Sequence, residues 1–235
     1  MKEYSSYYIA FLDLLGFKEI VKNKTCNEIA EIFDEVKTQY VIGKVDQEKG
    51  TSIPVIPPEH IMYYIMSDSI CIYIKDDIKY ALPILLGLCL NFQLRMLSFS
   101  TPVLVRGSIA HGDLFSDQRI IFGPALVEAY LREEKLTKYP RIIIPKHIID
   151  EHKGDITQTA VLSGFLYPEQ DGFYVINYLS VLCGQTFRQH DRDNLVQYVS
   201  ETLKRVLDPS LREKYLYLEY WLNYHMQRQE ADAHE

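Results

Sequence analysis

The chain has 235 residues, 47% of them hydrophobic and 24% charged, and a net charge of −7. That length is enough to bury one core well and lies near the upper limit for a single one. The acidic balance argues against a sequence-independent nucleic-acid binder, which needs an excess of Lys and Arg, but allows a small anionic ligand held by local donors and metal ions.

Residues 6–12, Ser-Tyr-Tyr-Ile-Ala-Phe-Leu, form an apolar run of buried-strand length. It stops at Asp13, and Gly16 breaks the chain before a helical pattern through Ile20, Ile29, Ile32, Phe33, Val36 and Tyr40. The stretch 43–58, with Gly43, Gly50, Pro54, Pro57 and Pro58, reads as a loop. Two strand-like runs, 61–65 and 70–74, flank Ser67-Asp68-Ser69 and predict a hairpin with an acid at its tip. Residues 79–99 are helical in pattern, and Pro102 opens a strand over 103–110 that ends at His111-Gly112-Asp113. A short run at 119–122 leads through Gly123-Pro124 into a helix ending at Leu136, with Pro124 in its first turn.

Further strands are expected at 140–144 and 172–178, then helices at about 189–207 and 209–228, the last capped by Asp208. Strands and helices alternate, yet hairpins are present, so the expected class is α+β with a mixed sheet. One domain spans 1–235, with a core over about 5–180, C-terminal helices over about 189–228 and a frayed polar tail. No run approaches the roughly 18–20 apolar residues that span a bilayer, and Met1-Lys2-Glu3-Tyr4 does not open a secretory signal. Cys26, Cys71, Cys89 and Cys183 lack C-x-x-C spacing and read as reduced thiols of a cytoplasmic protein.

The sharpest local feature is F-L-D-L-L-G-F at 11–17. An acid ends a buried strand, and a glycine turn leads into a helix whose first N–H groups suit phosphate oxygens. A carboxylate there repels phosphate unless a cation bridges the two, so the arrangement favours a metal-bound triphosphate. If strand 6–12 lies between the hairpin and strand 103–110, Asp13 and Asp68 meet at one end of the sheet. Two such carboxylates can hold two Mg²⁺ or Mn²⁺ ions about 3.5–4 Å apart, the spacing used for in-line phosphoryl chemistry. Taken alone, an Asp at a strand end before a turn is usually an Asx-turn or cap.

Arg106 lies in an apolar strand and needs a partner, with Asp13, Asp68 or a phosphate as candidates. His111 is a weaker candidate base. His190-Asp191-Arg192-Asp193 reads as a helix cap. The stripe Tyr215, Leu218, Trp221, Leu222, His225 reads as packing, and Glu133-Glu134-Lys135 as a solvated helix face. There is no P-loop, no G-x-G-x-x-G after a strand and no H-E-x-x-H.

Taken in order, F-L-D-L-L-G-F at 11–17, M-S-D-S-I at 66–70, V-R-G-S-I-A-H-G at 105–112, F-G-P-A-L-V-E-A-Y at 122–130 and K-Y-L-Y-L-E-Y-W-L-N-Y-H at 214–225 resemble the class III adenylyl/guanylyl cyclase catalytic domain. The likeness is greatest to the bacterial pyrimidine nucleotide cyclases of Pycsar antiphage systems and covers about 5–228. It implies a ferredoxin-like core and a homodimer with active sites at the interface. It also implies a 3′,5′-cyclic nucleotide product that serves a separate effector in antiphage defence.

In that resemblance Asp13 and Asp68 match the two metal-binding aspartates, and the Leu14 carbonyl matches a backbone ligand. Leu15, Gly16 and Phe17 match the triphosphate cradle. The base-reading lysine and acid of purine cyclases are replaced by Tyr64 and Ile120, which points to a pyrimidine, UTP or CTP. The family's helix Asn and Arg fall at Val127 and Leu131. Arg132 is one position off, about 100° around the helix, which leaves Arg132 or Arg106 to supply charge at the phosphate. A purine cyclase with an unusual pocket, or a catalytically silent dimerising or nucleotide-sensing domain, remains open at this stage.

Overall fold

The computed structural model describes residues 3–37, 58–117, 119–151, 165–184 and 188–232. Its centre is β1 (Ser5–Leu15), an unbroken apolar strand because it is buried on both faces. β1 pairs antiparallel with β3 (Ser69–Lys75) on one edge and with β4 (Leu104–Ser116) on the other. β2 (Met62–Met66) forms the expected hairpin with β3. Beyond β4 come β6 (Ile142–Pro145), β8 (Phe173–Ile176) and β7 (Leu166–Pro168), in the sheet order β2-β3-β1-β4-β6-β8-β7. β5 (Ile121–Phe122) pairs off this path with the end of β4. Among the described residues β4 and β6 are the one parallel pair, so the sheet is mixed and the class is α+β.

Strand alternation sends Tyr8, Ala10, Leu12 and Leu14 to one face and Tyr7, Ile9 and Phe11 to the other. The first face packs on α3 (Ala81–Leu97), which is apolar nearly all round because other elements enclose it as well. Around it lie α1 (Phe17–Asn23), α2 (Cys26–Lys37), α5 (Lys146–Glu151), α6 (Tyr178–Gly184), α7 (Gln189–Arg205) and α8 (Pro209–Asp232). Among the described residues the second face carries a single helix, α4 (Pro124–Leu136), which approaches β1 and β4 through the small residues Ala125 and Ala129. Gly107 allows an equally close approach within the sheet, since a Cβ there would sit 2.6 Å from both Leu12 Cδ2 and the Phe11 carbonyl oxygen.

The elements follow the sequence pattern closely in the core and depart from it where segments are short. β4 runs through His111-Gly112-Asp113 to Ser116 instead of ending there, because β1 supplies partners as far as Leu114 and β5 continues the pairing. α5, α6 and β7 were not expected: at six, seven and three residues they are too short to show a period. The loop expected at 43–58 lies outside the described residues apart from Pro58, which opens a 3₁₀ turn to His60. Asp208 caps α8 as expected, its Oδ1 accepting from the Leu211 N–H at 2.7 Å. The chain has no disulfide; Cys71, Cys89 and Cys183 are buried and Cys26 is exposed. Among the described residues no helix is long and apolar enough to cross a membrane.

His225 on α8 is buried at 6% exposure, and burial together with the nearby Arg228 pushes its pKa down to about 4. The folded state therefore stays unprotonated at His225 where the unfolded chain takes up a proton, so stability falls as pH drops from about 6.5 towards 4. Urea unfolding at pH 7 and pH 5 should show a loss on the order of 1–2 kcal/mol from this group. A His225→Leu variant should lose less across the same interval.

Candidate active site

Asp13 is the last residue of β1 to face α4 before the chain turns away. It lies opposite Ser69 on β3 and Arg106 on β4. The turn between β2 and β3 brings Asp68 alongside, and the Leu14 N–H donates to the Asp68 carbonyl at 3.1 Å. Ser67 makes this tight return possible with a left-handed backbone, φ 58°. The two aspartates thus share one end of the sheet, as the expected strand order requires. Next to them Gly16, at φ 79°, turns the chain into α1, with Leu15 half-buried and Phe17 packed edge-on against Phe33 at 5.8 Å. The Gly16 carbonyl accepts from the N–H groups of Glu19 and Ile20.

The carboxylates differ in their company. Asp13 Oδ2 accepts from Arg106 Nε at 2.8 Å, whereas its Oδ1 has no partner among the described residues. The Asp68 carboxylate is half-buried and accepts no hydrogen bond from any described residue, so it is not the Asx-turn acceptor that its position suggests. Half-buried carboxylate oxygens not taken by protein donors stay open to water or to a cation. The donor set is hard oxygen, suited to Mg²⁺ or Mn²⁺, which keep several water ligands and need only one or two carboxylates. Among the described residues no group of three or more His, Cys, Asp or Glu side chains is placed to hold a metal ion, so a metal here would rest on these two carboxylates alone. Asp13 and Asp68 therefore fit the expected metal, with the remaining positions left to water and phosphate oxygens.

Arg106 finds its partner in Asp13, and also one that sequence reading placed elsewhere. Glu133 was expected on a solvated face of α4; it is instead 3% exposed, and its Oε1 lies 2.8 Å from Arg106 Nε. The charge run Glu133-Glu134-Lys135 concealed this, because only the helix phase relative to Ala125 and Ala129 separates Glu133 from its exposed neighbours. Burial raises the Glu133 pKa to about 7, against the lowering pull of Arg106 and with a further push from Asp13. Arg106 Nη1 also donates to the Thr137 carbonyl at 3.1 Å.

A second residue not foreseen is Lys214 on α8. Tyr217 stacks on Tyr139 at 4.6 Å and Lys138 pairs with Glu213, which docks this turn of α8 on the segment that receives Arg106. Lys214 is half-buried and has no acceptor among the described residues. Its pKa is lowered by burial and then by Arg106, while Asp13 pulls the other way. It follows Arg212 and Glu213 and opens the stretch 214–225, where the sequence gives it the look of an ordinary helix-surface lysine.

The other expected residues are placed as follows. Arg132 does not join the carboxylates: its Nη1 donates to the Ile109 carbonyl at 2.8 Å and its Nη2 pairs with Glu128, which fastens α4 to β4. Tyr64, 36% exposed, lies on the Asp13 face of the sheet, two strands away and one side-chain row along. Ile120 belongs to the turn before β5, beyond the opposite end of β1. Ten residues of β4 separate Arg106, which lies opposite Asp13, from Ser116 beside that turn. This puts Ile120 roughly 30 Å from Asp13. His111 stacks on Tyr8 at 4.3 Å and shares its Nε2 between Ser6 and Asp76, far from the aspartates. Asp191 is a first-turn acid of α7, as expected, but it does not cap the helix. It accepts from the Ser98 and Arg188 side chains, and the N-cap position, Arg188, makes no side-chain cap bond.

No protein-family model matches the chain, and no curated protein matches it. Among solved structures it is similar to a bacterial light-regulated adenylyl cyclase at 13% identity. The match has a TM-score of 0.43 and covers 86% of this chain and 100% of that one.

Removing Arg106 leaves Glu133 buried without its cation. Arg106→Ala should lower the unfolding free energy in urea by about 2–3 kcal/mol. The paired change Arg106→Met with Glu133→Gln, which removes both charges, should recover most of that loss.

Proposed function

We propose that the protein is a metal-dependent nucleotidyl cyclase that acts on a nucleoside triphosphate, with UTP or CTP the favoured substrates. The observation that carries this reading is the pair of half-buried, incompletely partnered carboxylates, Asp13 and Asp68, beside a glycine turn and two cationic side chains. Mg²⁺ or Mn²⁺ held by the two aspartates, with the Leu14 carbonyl as a further ligand, would supply Lewis-acid charge at the phosphates. The turn Leu15-Gly16-Phe17 cradles the triphosphate, and Arg106 and Lys214 offset its negative charge. The 3′-hydroxyl oxygen then bonds to the α-phosphorus as the bond to pyrophosphate breaks in line, and the hydroxyl proton leaves to solvent. Positioning and charge stabilisation account for the rate.

Two features support the finer reading. Tyr64 presents a phenol where a purine cyclase has a lysine, and its place on the Asp13 face lets it stack on or donate to a small base. The α4 face also exposes Tyr64, Met66, Val127, Tyr130 and Leu131, an apolar surface suited to a partner. The roughly 30 Å between Asp13 and Ile120 is too far for one nucleotide to touch both in one chain. If both residues serve one substrate, they come from two copies, and each site lies across a homodimer interface. By the sequence resemblance, the cyclic pyrimidine nucleotide is a messenger for a separate effector in antiphage defence.

Incubation with Mn²⁺ and each of the four ribonucleoside triphosphates, followed by mass identification of products, should yield a 3′,5′-cyclic pyrimidine monophosphate and pyrophosphate. Asp13→Ala and Asp68→Ala should each abolish turnover while leaving the fold intact by circular dichroism. A cyclic purine would keep the chemistry and discard the Tyr64 reading. Binding without any product would favour the nucleotide-sensing alternative.

The dimer is tested separately by light scattering after size exclusion. Leu131→Asp on the exposed face of α4 should shift a dimeric protein to monomer. An unchanged mass would remove the interface from this face.

A further inference from the structure

The geometry points to Glu133 as a positioning residue that holds Arg106 away from Asp13 when a divalent cation binds there. This rests on the metal site of the functional reading above. Arg106 Nε lies 2.8 Å from Asp13 Oδ2 and also 2.8 Å from Glu133 Oε1, while Nη1 reaches the Thr137 carbonyl at 3.1 Å. Two of these three acceptors, Glu133 and Thr137, belong to the C-terminal end of α4; Asp13 alone belongs to the sheet.

A guanidinium paired with a metal-ligating carboxylate competes with the metal for the same oxygen. Whether the metal wins depends on what the guanidinium keeps when it lets go. With Glu133 present, Arg106 keeps a buried carboxylate and a carbonyl, so releasing Asp13 strands neither charge. Without Glu133, Asp13 becomes the only carboxylate among the described residues within reach of Arg106, and a cation must break that pair to bind. The 5% exposed Glu133 side chain has few competing water contacts. The same burial raises its pKa and Arg106 pulls it back down, so the ion pair is what favours its charged form. Anchored in this way, Arg106 stays beside the site instead of leaving with the displaced bond, which keeps its charge available to a phosphate.

The test measures Mn²⁺ binding without nucleotide, by electron paramagnetic resonance of free Mn²⁺, on the whole chain. Glu133→Gln should weaken binding about tenfold, as is usual for loss of a group that orients a metal ligand. In an Arg106→Met background, the same Glu133→Gln change should have no effect, since Glu133 acts only through Arg106. Wild-type affinity in Glu133→Gln, or an effect that persists without Arg106, overturns the assignment and leaves the metal site standing. Should Arg106→Met fail to fold, Glu133→Asp decides: it keeps the charge but withdraws the carboxylate by one methylene. Weakened binding then supports the assignment and wild-type binding overturns it. A wild-type protein that binds no Mn²⁺ overturns both the metal site and this role for Glu133.

Discussion

Every placement in the site follows from β1 being held on all four sides. Its two edges are paired over most of their length, and its two faces are buried under α3 and α4. A strand confined in this way cannot slip in register, since a shift by one residue would exchange Ile9 and Phe11 with Ala10 and Leu12 across the sheet. Asp13 is the first polar residue after this apolar run, and the register that buries the run also fixes the carboxylate opposite Arg106. A carboxylate next to a core gains precision from the core, at the cost of needing a partner for its charge.

The electrostatics around Asp13 are resolved by sharing. Asp13 and Glu133 divide one guanidinium, and among the described residues Asp68 has no donor and Lys214 no acceptor. Each imbalance is a different answer to the cost of a half-buried charge, and together they make this end of the sheet receptive to both a cation and a polyanion. The opposite end is closed in on itself: Tyr8 covers His111, which is tied to Ser6 and Asp76, and the Asp76 carboxyl is held low by those hydrogen bonds despite partial burial. The same sheet thus has one satisfied end and one left open.

Much of this was legible in the sequence, for identifiable reasons. The hairpin around Asp68, the helix from Pro124 to Leu136 and the neighbouring positions of Asp13 and Asp68 rest on strong local signals: alternation, a proline at a helix start and an acid that breaks an apolar run. The need of Arg106 for a partner was also visible, because a charge inside an apolar strand must be paired. Glu133 and Lys214 were not legible. Each sits among residues of ordinary helix-surface type, and its role depends on how the helix is rotated against a distant element. Arg132 shows the reverse: its residue type suited a phosphate, but the phase of α4 turns it onto the β4 backbone. Short elements such as β7 and α6 escaped because three to seven residues cannot display a period.

The chain's single tryptophan, Trp221, lies on α8 edge-on to Tyr167 at 5.4 Å and stacked on His225 at 5.7 Å. The same helix carries Lys214 and the Tyr217 that stacks on Tyr139 beside the Arg106 anchor. Excitation at the red edge of the indole band therefore reports from one place only. Its emission colour and quenching by the neighbouring imidazole give an optical signal, without any added label, for how firmly the C-terminal helix is seated.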